Sequence, residues 1–183
     1  MQGGCNCRHV RYRLTAEPIV VNCCHCRMCQ RSSGSAFALN VMIEAEHVEM
    51  AGEGAPELFE PESTDSAAQG SARCPRCATV LWGYHRAFGL DFCFVRAGTL
   101  DFSREVQPSA HFFTVTKHPW IALPGDVPAF EGLPEPHEPP PWGEAGQRRI
   151  DAVLARRAGD LPDAASEAKG RGSALSQRQV SIP

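Results

Sequence analysis

Apolar and polar residues alternate with period two along several short stretches of the chain. In HVRYRL, Val10, Tyr12 and Leu14 fall on one face, and in AFALNVMI, Phe37, Leu39, Val41 and Ile43 do the same. ELFE, TVLWGY, LDFCFVRA and HFFTV are short, aromatic or β-branched, and bounded by Gly, Pro, Ser or Asp. No long stretch of period 3.6 lies among them. Many short strands between turn signals predict an all-β, mainly antiparallel fold of the sandwich or barrel kind. Ala51–Gly70 is mostly polar around one short strand and reads as a hairpin or loop excursion. The pattern changes at PEPHEPPPWGE, a proline-rich linker expected to be extended. Beyond it, Ile150, Val153 and Leu154 make a narrow apolar stripe, which predicts one short helix. After Leu161 the chain is small and polar and is expected to be disordered. The division is therefore a β-domain over residues 1–137 and a linker, helix and tail over 138–183. Truncation after Pro136 is expected to cost few buried contacts.

Composition narrows the classes. The 183 residues are 43% hydrophobic and 21% charged, enough for one folded core. The net charge of −3 gives no general pull toward nucleic acid or an anionic membrane. Residues 1–137 hold more Asp and Glu than Lys and Arg, against a nucleic-acid-binding ribbon. No apolar run approaches the roughly 20 residues of a membrane helix. MQGGCNC has no signal-peptide pattern, so a reducing cytoplasm is expected, where thiols stay free for metal.

The nine cysteines change the picture most. They are odd in number and fall into short-spaced groups, against a disulfide framework. Cys5-x-Cys7 and Cys74-x-x-Cys77 are two pairs far apart in sequence. Short pairs of this kind set two thiolates on one side of a tight turn, and two pairs complete a closed tetrahedral zinc site. Cys24-x-Cys26-x-x-Cys29 has no second pair. Three protein ligands with an open fourth position mark a reactive zinc. Three thiolates leave a divalent ion with a local charge of −1, a poor generator of hydroxide but a soft acceptor for a further sulfur. The alternative is closure by Cys23, His25 or Cys93, which would make the site structural.

The order of C-x-C, CHCRMCQRSSGSAF, CPRC, RAGTLD and KHPWIALPGDVPAFEGLP resembles the glutathione-dependent formaldehyde-activating enzyme family and the related centromere protein V proteins. The similarity spans Gly4 to Pro134. It implies an Mss4-like zinc-stabilised β-fold and two zinc ions per chain. One would be structural, on Cys5, Cys7, Cys74 and Cys77. The other would face substrate, on Cys24, Cys26 and Cys29. It also implies glutathione as partner and condensation with formaldehyde to S-hydroxymethylglutathione, a carbon–sulfur lyase activity. The rival function is a non-catalytic glutathione carrier or zinc-stabilised interaction module.

Two departures from the family pattern stand out. Ala78 stands where Gly is usual, so a left-handed backbone there would carry a Cβ at a cost of about 1 kcal/mol. Cys23 is an extra thiol beside Cys24, and in extended backbone the two side chains point to opposite faces. Other candidates are weaker. Arg27 and Arg31 would share a helical face beside Cys29 and could hold the two carboxylates of glutathione. His85 is a candidate proton carrier, and His25 is expected to turn outward between the ligands. Cys93 reads as a packed apolar residue, and Trp82, Phe88, Phe92 and Trp120 as core or cleft walls.

Overall fold

The computed structural model describes residues 1–60, 68–135 and 138–160. It is mostly β, with ten strands in two sheets. β1 (Gln2–Gly4), β2 (Arg11–Leu14) and β5 (Val48–Met50) form a small antiparallel sheet in the order β1-β2-β5. The large sheet has seven strands. It is built from β3 (Val20–Cys24), β4 (Ala38–Glu44), β6 (Glu57–Phe59), β7 (Ala68–Arg73), β8 (Val80–His85), β9 (Gly89–Arg96) and β10 (Ala110–Phe112), in the order β10-β3-β4-β9-β8-β7-β6. All its pairings are antiparallel except β10 with β3. Residues 61–67, in the expected loop excursion, and the expected disordered tail lie outside the described residues.

Alternation along the central strands builds two cores, one on each face of the large sheet. Val41 and Ile43 of β4 and Cys93 and Val95 of β9 join Val10, Tyr12 and Leu14 beneath the small sheet. Met42 and Phe92, one residue out of phase, join Ile19, Val20, Ala110 and Phe112 on the other face. β4 is consequently buried on both sides, beyond the single apolar face its pattern predicts. Trp82 and Phe92 are core, as expected. Trp120 is not: it is 73% exposed and stacks on His118.

The second core is completed by α2 (Gly143–Asp160), an eighteen-residue helix. It is longer than the short helix expected, and its stripe is docked. Ile150 and Val153 are buried against the sheet, and Leu154 packs beside them. Gly146 permits the approach, since a Cβ there would lie 2.7 Å from that of Trp142 and 3.2 Å from Ile19. Arg149 reaches Glu44 of β4, donating from Nε to Oε1 at 2.7 Å, and also donates to the Glu17 carbonyl at 2.8 Å. Burial disfavours the Glu44 carboxylate, but the Arg149 guanidinium outweighs it and holds Glu44 below the usual carboxylate range. The expectation that truncation after Pro136 costs little is therefore corrected: it would uncover a core face and orphan a buried carboxylate.

Ile150→Ala should cost about 2–4 kcal/mol in chemical unfolding. Arg149→Met should cost about 2 kcal/mol at neutral pH, less than a fully buried pair because the arginine is partly exposed. The folded pKa of Glu44 is depressed, so the pair's contribution is present above the ordinary carboxylate pKa and fades as pH falls through the lower folded value. The gap between wild type and Arg149→Met should accordingly narrow on acidification. A gap that holds constant down to pH 3 would show that the ion pair is not its source.

Candidate metal centres

Two hairpin tips meet at the first cysteine group. Cys5 and Cys7 lie in the turn between β1 and β2, and Cys74 and Cys77 in the turn between β7 and β8. The turns share one hydrogen-bond scheme. Cys5 N–H donates to the Val10 carbonyl and Arg8 N–H to that of Cys5; Cys74 N–H donates to the Thr79 carbonyl and Ala78 N–H to that of Cys74. Each turn also places the residue after its second cysteine in the left-handed region, Arg8 at φ 60° and Ala78 at φ 58°. The Cβ expected to be strained at Ala78 is there. The sulfurs of Cys5 and Cys7 are 3.5 Å apart and those of Cys7 and Cys74 3.7 Å apart. These are close to the edges of a tetrahedron with metal–sulfur bonds of about 2.3 Å. Val10 N–H donates to Cys5 Sγ at 3.2 Å, and Cys77 Sγ is 3.2 Å from the Thr79 hydroxyl. The Thr79 contacts and the Cys7 neighbours bring the Cys77 thiol down to about 5. The four residues fit a closed metal site.

The second group forms at the end of β3. Cys24 is the last residue of that strand, Cys26 caps α1 (Arg27–Ser33), and Cys29 sits one turn in. The cap is the thiol itself, since Cys29 N–H donates to Cys26 Sγ at 3.3 Å. Gly34 in the left-handed conformation ends the helix. The three sulfurs lie within 4.8 Å of one another, and among the described residues no fourth Cys, His, Asp or Glu donor joins them at that distance. Contact with the Cys24 and Cys29 thiols pulls Cys26 far below its ordinary value, while Cys24 is pushed up. Cys29 is drawn down by its bond with Cys24, but its contact with Cys26, burial and the Cys26 charge outweigh this and raise it to about 11. The Arg96 charge favours the Cys29 thiolate. Burial and mutual contact thus oppose ionisation of all three as free thiols, and a cation is what would let them ionise together.

The extra thiol faces the other way. Cys23 Sγ lies 3.6 Å from His25 Nε2, which is 3.1 Å from His111 Nδ1, and all three residues are buried. His25 is therefore not turned outward. Neither it nor Cys23 closes the three-cysteine site, and Cys93 is in the first core. The two imidazoles are inclined by only 24° with centroids 5.4 Å apart, so the facing nitrogens lie near the line of centres. That is the geometry of an N–H···N bond rather than of two ligands bent around one ion. Burial pushes both histidines below the usual value, with the His111 charge a further cause for His25. The His25 carbonyl receives Gln30 Nε2 at 2.7 Å and the Thr116 hydroxyl at 3.0 Å, while His25 N–H donates to the Phe112 carbonyl. These bonds fix the turn that presents Cys24 and Cys26.

Arg27 and Arg31 are both exposed on α1, and Arg27 donates to Gln30 Oε1. Neither forms an ion pair among the described residues. His85, half-buried at the end of β8, accepts the Ala87 N–H on Nδ1 at 3.2 Å. Burial lowers its pKa while the nearby Cys26 charge raises it. Arg96, whose charge acts on Cys29, is singled out by no feature of the sequence. Its signal, a lone arginine at the end of a strand, names no partner. Clefts of 410 and 490 Å³ occur elsewhere, the first beside α2 and the second around Ile19, Leu100 and Phe102.

The family model for the glutathione-dependent formaldehyde-activating enzyme matches residues 1–116, more than half of the chain. The chain belongs to that family. A Rhodobacter sphaeroides protein solved as a structural-genomics target is similar at 18% identity, with a TM-score of 0.44, over 70% of this chain and 99% of its own. No curated protein matches the chain.

Ala78→Gly should relieve about 1–2 kcal/mol of left-handed strain against about 0.4–1 kcal/mol of added unfolded-chain entropy. A net gain of roughly 0–1.6 kcal/mol is expected, read as a small rise in Tm. Separately, Cys74→Ser should abolish the cooperative transition, because binding at a closed structural site is folding energy. Cys26→Ser should keep Tm within a few degrees of wild type. Equal losses in the two cysteine variants would mean that the two groups do not divide into staple and open site.

Proposed function

We propose that this chain is a carbon–sulfur lyase-type enzyme that joins glutathione, or a related thiol, to formaldehyde as an S-hydroxymethyl adduct. Family membership supports the reaction class. The observation that carries the reading is the Cys24, Cys26, Cys29 cluster, which gathers three sulfurs and no fourth protein donor. In this reading each chain holds two zinc ions, one on the Cys5, Cys7, Cys74, Cys77 group and one on the three-cysteine group, and works in a reducing cytoplasm. Among the described residues no helix is long and apolar enough to cross a membrane. Zinc held by three thiolates supplies a soft acceptor for one more sulfur, taken in its deprotonated form.

The chain's own residues then have separable tasks. Arg27 and Arg31, exposed on α1, hold the carboxylates of the tripeptide through paired hydrogen bonds. The thiol proton leaves on capture. The sulfur lone pair forms the new S–C bond as the carbonyl π pair moves onto oxygen, and that alkoxide takes one proton. His85 returns it. Ala87 N–H occupies its Nδ1, so Nε2 is the nitrogen free to exchange a proton, and burial holds the pKa of the ring below the usual value against the opposing Cys26 charge.

Calorimetric titration of the zinc-loaded protein in two buffers of different ionisation enthalpy tests the reading. Glutathione should bind with release of a proton. S-methylglutathione, with both carboxylates but no ionisable sulfur, should bind much more weakly and release none. His85→Asn should slow adduct formation by at least about a hundredfold without changing glutathione affinity. Equal affinity for both ligands with no proton release would leave a binding module instead of an enzyme.

A further inference from the structure

Arg96 ends β9 and pairs in register with Asn40 of β4. Its Nη1 donates to Asn40 Oδ1 at 2.6 Å and its Nη2 to Ser32 Oγ at 3.1 Å. Ser32 Oγ is in turn 3.2 Å from the Cys29 carbonyl. Asn40 is itself fixed, donating to Asn22 Oδ1 at 3.1 Å, and both asparagines are only 4% exposed. The guanidinium is thus held by neutral groups. Arg11, Arg13, Arg149 and Arg156 each meet a carboxylate, whereas Arg96 forms no ion pair among the described residues.

A half-buried cation without a counter-ion is unfavourable unless an anion faces it. The register places Arg96, Asn40, Asn22 and Cys24 on one face of the sheet, with Cys24 opposite Ala38. The anionic centre beside Arg96 is therefore the sulfur cluster. The guanidinium is poorly disposed to fork a ligand carboxylate. Its Nε is buried without a partner, which closes the Nε–Nη edge to solvent, and both Nη atoms are engaged. With a divalent ion the three thiolates sum to −1, and a fourth thiolate takes the centre to −2.

We propose that Arg96 is the fixed counter-charge of the Cys24, Cys26, Cys29 centre, a positioning residue that strengthens capture of an anionic sulfur whatever else the ligand carries. This rests on the thiol-capture reading. It assigns to Arg96 a task distinct from that of Arg27 and Arg31, since a counter-charge acts on the sulfur and a carboxylate clamp acts on the rest of the ligand.

The test uses the full chain loaded with cobalt(II), whose thiolate charge-transfer band reports both an assembled centre and an added sulfur. Two thiols are titrated: 2-mercaptoethanol, which is uncharged apart from its sulfur, and mercaptoacetate, which carries a carboxylate. Arg96→Gln should weaken both by the same factor, about tenfold. Arg96→Lys should restore most of the loss, and Ser32→Ala, which keeps the charge, should change little. A loss confined to mercaptoacetate would make Arg96 a carboxylate anchor and overturn the proposal. So would unchanged affinities, or a loss in Ser32→Ala equal to that in Arg96→Gln. If Arg96→Gln no longer holds cobalt, Arg96→Lys decides: retention of cobalt and thiol affinity supports the charge role, and loss of both overturns it. Wild-type protein that binds neither thiol would refute the capture reading itself, and the Arg96 role with it.

Discussion

Neighbouring side chains on an extended strand point to opposite faces, and at the end of β3 this constraint separates two environments one residue apart. Cys24 and Cys26 turn toward Cys29, while Cys23 and His25 turn toward His111. The first group is partly open and the second is wholly enclosed. Had the strand slipped by one residue, Cys23 would face Cys29 and the ring of His25 would enter the open site. The register is held against such a slip from both flanks. Five residues of β3 pair with β4, and β10 pairs on the other side with His111 directly opposite Cys23. The His25–His111 bond then crosses between those two strands and ties the register to side chains as well as to backbone.

The four-cysteine group acts at a longer range. The small sheet contributes only ten strand residues and could not stand alone. Its turn is brought against that of β7 and β8, with Cys7 and Cys74 sixty-seven positions apart. Both turns use a left-handed residue to aim the second sulfur, and neither uses glycine for it. The strain at Arg8 and Ala78 persists because the surrounding hydrogen bonds fix the turn on every side.

What the sequence made legible follows from how local each signal is. Cysteine spacing is local, and it grouped the sulfurs that the fold brings together, Cys5, Cys7, Cys74 and Cys77 in one place and Cys24, Cys26 and Cys29 in another. Period-two alternation is local and found β2 and β4, and short aromatic or β-branched runs between turn residues found β6, β8, β9 and β10. β7 was missed because AQGSAR contains no β-branched or aromatic residue and owes its strand to the hydrogen bonds of β6 and β8. The docking of α2 was missed because its polar contact, Arg149 with Glu44, joins residues 105 positions apart. His111 and Arg96 were missed for the same reason, since their partners His25 and Ser32 lie 86 and 64 positions away. Neither residue carries a local sign of its neighbour. Trp120 reads as core or cleft wall because aromatic residues bury well on average, which says nothing of one indole on a loop.

One face of β4 ties these long-range contacts together. Ala38, Asn40, Met42 and Glu44 share it, spaced by about 7 Å along the strand. Ala38 stands beside Cys24, and its small side chain leaves room for the sulfur cluster. Asn40 holds Arg96. Met42 enters the core under α2, and Glu44 receives Arg149 from that helix. The two polar positions solve different problems with the same residue type. Glu44 is a buried anion that requires a cation from elsewhere, and α2 brings one. Asn40 is neutral, so the cation it holds remains unneutralised and can act on the sulfurs above it. Replacing Asn40 with an acid would give Arg96 a carboxylate of its own and cancel its field at the cluster. A neutral amide at that position is thus what leaves the charge of Arg96 free to act on the three-cysteine cluster, while Glu44, four residues further along the same face, is closed over by α2 and serves stability alone.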